Sequence, residues 1–168
     1  MQIDIAKYLR NVRPMFRTVA DDWERPIKRD DYLLNDYLNL LGTLGQLQTL
    51  TQAVNPNVPV TLRLDDAGVD TLYATGLVQF LLISLKQQWI HLMVLEPQDL
   101  QQFAKFPQRH LNHQFIGIDT MLLNSYHQRR QSDFAHAWRS YLKLGLNELH
   151  LDQATIDSAV TQLINQTN

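Results

Sequence analysis

Leu33-Leu-Asn-Asp-Tyr-Leu-Asn-Leu-Leu-Gly-Thr-Leu-Gly-Gln-Leu-Gln-Thr-Leu50 decides the fold class. Leu34, Tyr37, Leu38, Leu41, Leu44, Leu47 and Thr51 recur at intervals of three and four, which is the period of one helix face rather than the alternation of a strand. Leu33, Leu40 and Leu50 widen that seam, so the helix is expected to be central. Beyond Asp36 the stretch has no carboxylate: from Tyr37 to Arg63, and again from Thr71 to Leu95, there is no Asp or Glu.

Outward from this segment the helical period persists. Ile5, Tyr8, Leu9, Val12, Met15, Phe16 and Val19 line one side of a helix running to about Ala20, with Pro14 as a candidate kink. Asp30 or Asp31 can cap the central helix, which is expected to reach about Val54 before the breaker Asn55-Pro56-Asn57-Val58-Pro59. Asp65 and Asp66 then offer a start for a third helix through about Lys86, so the two form a hairpin across the loop. Trp89 to Leu95 is read as helical, and Glu96-Pro97 opens a fresh turn. His113 to Tyr126 forms a fourth long segment, and Ser132 or Asp133 starts a fifth that buries Phe134, Trp138, Tyr141 and Leu142. Asp152 caps a last helix with Ile156, Val160 and Leu163 inward. The expectation is a single all-α domain over residues 1–168, a bundle of about five to seven helices.

Composition narrows function. The 168 residues, 45% hydrophobic and 19% charged, can bury a core of their own. A net charge of −2 gives no general drive toward nucleic acid or an anionic membrane, and neither is expected as a partner. With no cysteine there are no disulfides, thiolate metal sites or cysteine nucleophiles. The N-terminus has no basic-then-apolar signal pattern and the apolar run Leu77–Leu85 is too short to cross a bilayer, so a cytoplasmic protein is expected. Dinucleotide, P-loop, zincin and nucleophile-elbow motifs are absent. His110, His113 and His127 complete no known metal spacing and read as surface histidines. Lys7, Arg10, Arg13 and Arg17 share the side of the first helix opposite its apolar seam and read as solvated charge. Asp65, Asp66 and Asp70 read as capping and dipole complement at a helix start.

Tyr141-Leu-Lys-Leu-Gly145, Leu151-Asp152, Ile156-Asp157-Ser158-Ala159 and the N-x-x-N spacing of Asn165 and Asn168 resemble the final hairpin of the dimeric dUTPase family, relatives of the MazG-like all-α nucleoside triphosphate pyrophosphohydrolases. Leu44-Gly45-Gln46-Leu47 is similar to the core of that family's first metal motif, E-L-G-E, and Val78-Gln79-Phe80 to the L-H-F after its second, E-x-x-D. The resemblance implies an all-α dimer whose two antiparallel helices gather Mg²⁺ on a triphosphate. On this chain the acids of those motifs fall at Thr43, Gln46, Tyr73 and Gly76. Neutral residues there cannot offset the cost of stripping water from that hard cation, so no metal or other cofactor is expected. Gln79, Asn165 and Asn168 remain as ligand contacts implied by the resemblance.

Three readings stand. The first is a catalytically inactive relative of this fold, a homodimer acting by nucleotide or protein binding. The second is an active Mg²⁺-dependent pyrophosphohydrolase using displaced acids Asp36, Asp66 and Asp70. The third is an unrelated helical interaction module with Trp89, Tyr126 or the Arg-rich first helix as contact surface.

Overall fold

The computed structural model describes residues 2–21, 28–51 and 68–167, and among these every regular element is helical. The helices are α1 (Ile5–Asp21), α2 (Arg29–Leu50), α3 (Val69–Gln87), α4 (Pro97–Phe103), α5 (Leu111–Gln128), α6 (Gln131–Lys143) and α7 (Gln153–Thr167). Asp65, Asp66 and Asn168, together with the breaker between α2 and α3, lie outside the described residues.

Helices α2, α3, α5 and α6 form a four-helix bundle in which neighbours are antiparallel and the chain order runs up-down-down-up. Asp36 pairs with Lys86 while Thr43 faces Gly76, so α2 and α3 run antiparallel. Gln48 bonds Asp119 and Tyr37 bonds Ser125, which sets α5 antiparallel to α2. Gln114 reaches the Ser140 carbonyl across the α5–α6 hairpin, and the Tyr73–Tyr141 and Phe80–Phe134 ring contacts close the circuit between α6 and α3. Outside this bundle, α1 and α7 lie parallel to each other and against α3. Leu40, Leu44, Leu47, Leu77, Leu81 and Ile118 are fully buried at its centre, as the period-3.6 seams require.

Local departures from the sequence reading have physical causes. α2 starts two or three residues earlier than a cap at Asp30 or Asp31 implies: Lys28 is the extended N-cap residue and both acids sit in the first turn, where they complement the helix dipole. Trp89 to Leu95 is not a continuing helix. Gln88 adopts a left-handed conformation (φ 61°), the Trp89 N–H closes onto the Ser84 carbonyl, and only a 3₁₀ turn follows at Ile90–Leu92. Glu96-Pro97 does start a helix, α4, with Glu96 and Asp99 forming a capping box. Asp152 caps α7 by accepting the Thr155 N–H at 2.7 Å, which holds its carboxyl below the usual range. Taken whole, the 19 residues of α3 are long and apolar enough to cross a membrane, unlike the Leu77–Leu85 run alone; Leu77, Val78, Phe80, Leu81 and Ile83 are buried against other helices.

Two tyrosines interlock α3 with the end of α6. Tyr73 and Tyr141 stack with ring centroids 4.6 Å apart and planes within 4°. Each hydroxyl donates to the other residue's backbone carbonyl, at 3.0 Å from Tyr73 and 2.7 Å from Tyr141. Each ring also sits on a glycine of the opposite helix. A Cβ on Gly76 would overlap the Tyr141 hydroxyl and lie 2.9 Å from its Cζ, and one on Gly145 would lie 2.6 Å from Tyr73 Cε2. At Gly145 the backbone has widened from α to a π-helix spanning Leu144–Glu148. Replacing either glycine with alanine should therefore destabilise the protein by about 1–3 kcal/mol through overpacking. Helix propensity alone favours alanine by about 1 kcal/mol, so the sign is diagnostic. Urea unfolding of Gly76→Ala and Gly145→Ala measures it; a gain in stability would contradict the interlock.

Candidate functional site

The four positions where the resemblance places metal-binding acids do not converge on one point. Thr43 and Gly76 face each other across α2 and α3, with Thr43 Cγ2 3.5 Å from where a Gly76 Cβ would stand. The Thr43 hydroxyl turns back to donate to the Asn39 carbonyl at 3.1 Å, which leaves its methyl on the α3 side. Gln46 is exposed on α2. Tyr73 is fully buried in the stack with Tyr141, and burial pushes its hydroxyl pKa far above the ordinary tyrosine value. One satisfied hydroxyl, one exposed amide, one buried phenol and one glycine do not fit Mg²⁺, which needs several charged or water oxygens in an octahedron.

The other residues singled out in the sequence are dispersed. Gln79 on α3 is partly buried, and its Oε1 is enclosed without a protein donor among the described residues. Asn165 is exposed on α7, where it lines an open groove of about 570 Å³ with Lys7, Asp157, Thr161 and Gln162. His110 and His113 have ring centroids 6.0 Å apart, whereas His127 is 14 residues farther along α5, about 21 Å at 1.5 Å per residue. Lys7 is half-buried and Arg10 and Arg13 are exposed on α1. Trp89 is buried and packs on Phe134, so it is core rather than contact surface. Tyr126 is half-buried against Tyr37.

Displaced acids fare no better. Asp36 is held by Lys86 at 2.7 Å, and Asp70 accepts the Thr71 N–H at 2.8 Å at the start of α3. Lys86 and Asp70 stand 16 residues apart on α3, so Asp36 and Asp70 are separated by about 24 Å along the hairpin, ten times a metal–oxygen bond. Among the described residues no three His, Cys, Asp or Glu side chains come together to hold a metal.

Polar pairs that sequence reasoning missed lie on the seams. The Tyr8 hydroxyl donates to Asp157 at 2.6 Å, and burial followed by that carboxylate drives the Tyr8 pKa far up. A tyrosine within the α1 seam and an aspartate between Ile156 and Val160 were the only signals for it. Tyr37 donates to Ser125, whose own hydroxyl donates to the Leu122 carbonyl; burial pushes the Tyr37 pKa up to about 12, with Ser125 and Arg129 opposing. Glu148, in the π-helix, pairs with Lys143 in a largely buried contact and keeps one enclosed oxygen, Oε2, without a partner among the described residues. Asp119 accepts from Gln48 at 2.8 Å, while its other oxygen is enclosed and has no partner among the described residues.

Compared with known proteins, the chain matches no protein family, no curated protein and no solved structure.

Burial raises the Asp119 carboxyl above its ordinary 3.8, with the Gln48 hydrogen bond opposing. The folded chain thus binds this proton more tightly than the unfolded chain. The stability this contributes is complete below pH 3.8 and lost as pH rises through the elevated native value. Asp119→Asn should accordingly gain stability over the native chain at pH 7, the gain shrinking toward pH 4. Thermal unfolding of both proteins across that range checks it; a pH-independent difference would contradict the burial argument.

Proposed function

We propose that this chain is a non-hydrolytic protein on a scaffold resembling the dimeric dUTPase and MazG-like all-α fold, and that it acts by associating with protein rather than by turning over a nucleotide. The observation that carries this reading is the fate of Tyr73 and Gly76. Where the resemblance calls for two carboxylates on α3, these residues fill the space between α3 and α6: Tyr73 stacks on Tyr141, and Gly76 receives the Tyr141 hydroxyl against its backbone. Packing of this density leaves no room for a hydrated ion or a triphosphate oxygen. On α2, Thr43 presents a methyl group where the partner acid would stand.

Loss of those acids removes the chemistry itself. In metal-assisted pyrophosphohydrolysis the cation neutralises charge developing on the phosphates and positions the attacking water. Neither task can pass to an uncharged residue that already bonds its own helix. What remains is a rigid helical body with uncharged outer surface on α2 between Tyr37 and Leu50, and such a body works through contact.

A pyrophosphate-release assay with dUTP, dCTP and the four ribonucleoside triphosphates, in Mg²⁺ and in Mn²⁺, tests this. The expected result is release at the no-enzyme rate under every condition. Metal-dependent turnover abolished by Gln46→Ala would sink the proposal.

A further inference from the structure

Helices α1 and α7 pack side by side, and the open groove of about 570 Å³ along them falls within the roughly 300–1,000 Å³ usual for small-molecule sites. Asp157, Thr161, Gln162 and Asn165 line it from α7, where their spacing puts them along one side of the helix. Lys7 lines it from α1. Asp157 is the one charged residue of α7, and although it borders the groove it is only 2% exposed.

That carboxylate is half provided for. Tyr8 donates to Oδ1 at 2.6 Å, which is all that joining α1 to α7 requires. No other side-chain donor among the described residues reaches Asp157, and Oδ2 is not one of the enclosed, unpartnered oxygens, so it opens onto the groove that the residue lines. An ionised carboxylate accepts up to about four hydrogen bonds, and withdrawing one from water without a paired cation is costly. Lys7 does not supply that cation: among the described residues its ammonium forms no ion pair, while its backbone N–H is held by Asp4. The groove therefore presents two opposite charges that do not neutralise each other.

We propose that this groove binds a small zwitterion, a free α-amino acid with an uncharged polar side chain. Its ammonium group donates to Oδ2 of Asp157, its carboxylate meets the Lys7 ammonium, and its side chain bonds Thr161 and Gln162. Packed helices have axes about 8–10 Å apart, so one small molecule can reach both charges. Selectivity follows from sign. A purely cationic ligand, or a lysine or arginine of another protein, would bring its charge to Lys7, and an anion such as phosphate would bring its charge to Asp157. Beyond these two, the lining is hydroxyl and carboxamide, so a third charge on the ligand would have no partner. The site goes beyond association with protein and does not depend on it.

Isothermal titration calorimetry of the full chain with L-glutamine, L-asparagine, L-serine and L-threonine tests this. At least one is expected to bind at one site per chain, while inorganic phosphate and spermidine do not. Asp157→Asn keeps an acceptor for the Tyr8 hydroxyl and should fold, yet weaken binding by about tenfold or more, the usual cost of losing a charged hydrogen bond. The N-acetyl form of the same ligand, which has no ammonium group, should bind weakly and be indifferent to that substitution. Lys7→Met should weaken the amino acid by a similar factor and leave its α-carboxamide, which has no anion, unaffected. Failure of all four amino acids to bind, binding unchanged by both substitutions, or equal binding of phosphate or spermidine overturns the proposal. Pyrophosphate release is a separate readout: hydrolysis by a chain that also binds the amino acid would sink the proposed function and leave this site standing.

Discussion

The Tyr73–Tyr141 clasp joins α3 to the end of α6 across the bundle, opposite the α2–α5 contact made by Tyr37–Ser125 and Gln48–Asp119. Two buried phenols cannot be left without hydrogen-bond partners, and in this core the nearest acceptors are the backbone carbonyls of the rings' own counterparts. Reaching them requires the helices to approach until each ring rests on bare backbone, so glycine is needed at 76 and 145. The aromatic chain through Phe80, Trp138 and Phe134 extends from this point, with Trp138 anchoring the connection after α3 by donating to the Met93 carbonyl. The π-helical turn at Leu144–Glu148 lies where α6 yields to the Tyr73 ring.

That clasp also bears on function. A pair of helices that binds magnesium must keep a polar, hydrated gap between carboxylates, whereas a pair that joins through stacked rings must exclude water. The α3 residues at the candidate site have the second character, and so does the methyl side of Thr43 on α2. Scarcity of charge on α2 then has two consequences on two sides of one helix. Toward α3 it permits dry packing, and on the outside it leaves leucine and glycine uncovered.

Legibility in the sequence followed the range of the interactions. The apolar seams of α1, α5 and α6 were readable because 3.6-residue periodicity is imposed by each helix on itself, whereas the α2 seam was drawn off-centre: with leucine on every side of that helix, packing buried Leu33, Leu40 and Leu50 and left Leu34 and Leu38 exposed. The Asp152 cap was readable for the same reason, since its acceptor lies three residues away. Trp89 to Leu95 was not, because its apolar composition suits a helix while Gln88 in the left-handed region ends one. The Tyr8–Asp157, Tyr37–Ser125 and Lys143–Glu148 pairs were invisible or merely suggestive: partners such as residues 8 and 157 meet only through the packing of whole helices.

By itself the sequence determined that the chain is all-helical, that it has no thiol chemistry, and that two long runs, Tyr37 to Arg63 and Thr71 to Leu95, contain no carboxylate. These are properties of local period and composition, and they survive any arrangement of the helices. Only the tertiary structure decided what stands in place of the missing acids. It turned Tyr73 and Gly76 toward α6 and left Gln46, Leu38 and Gly45 outside, because the rotation of a helix about its axis is set by the surfaces it packs against and not by its own residues alone.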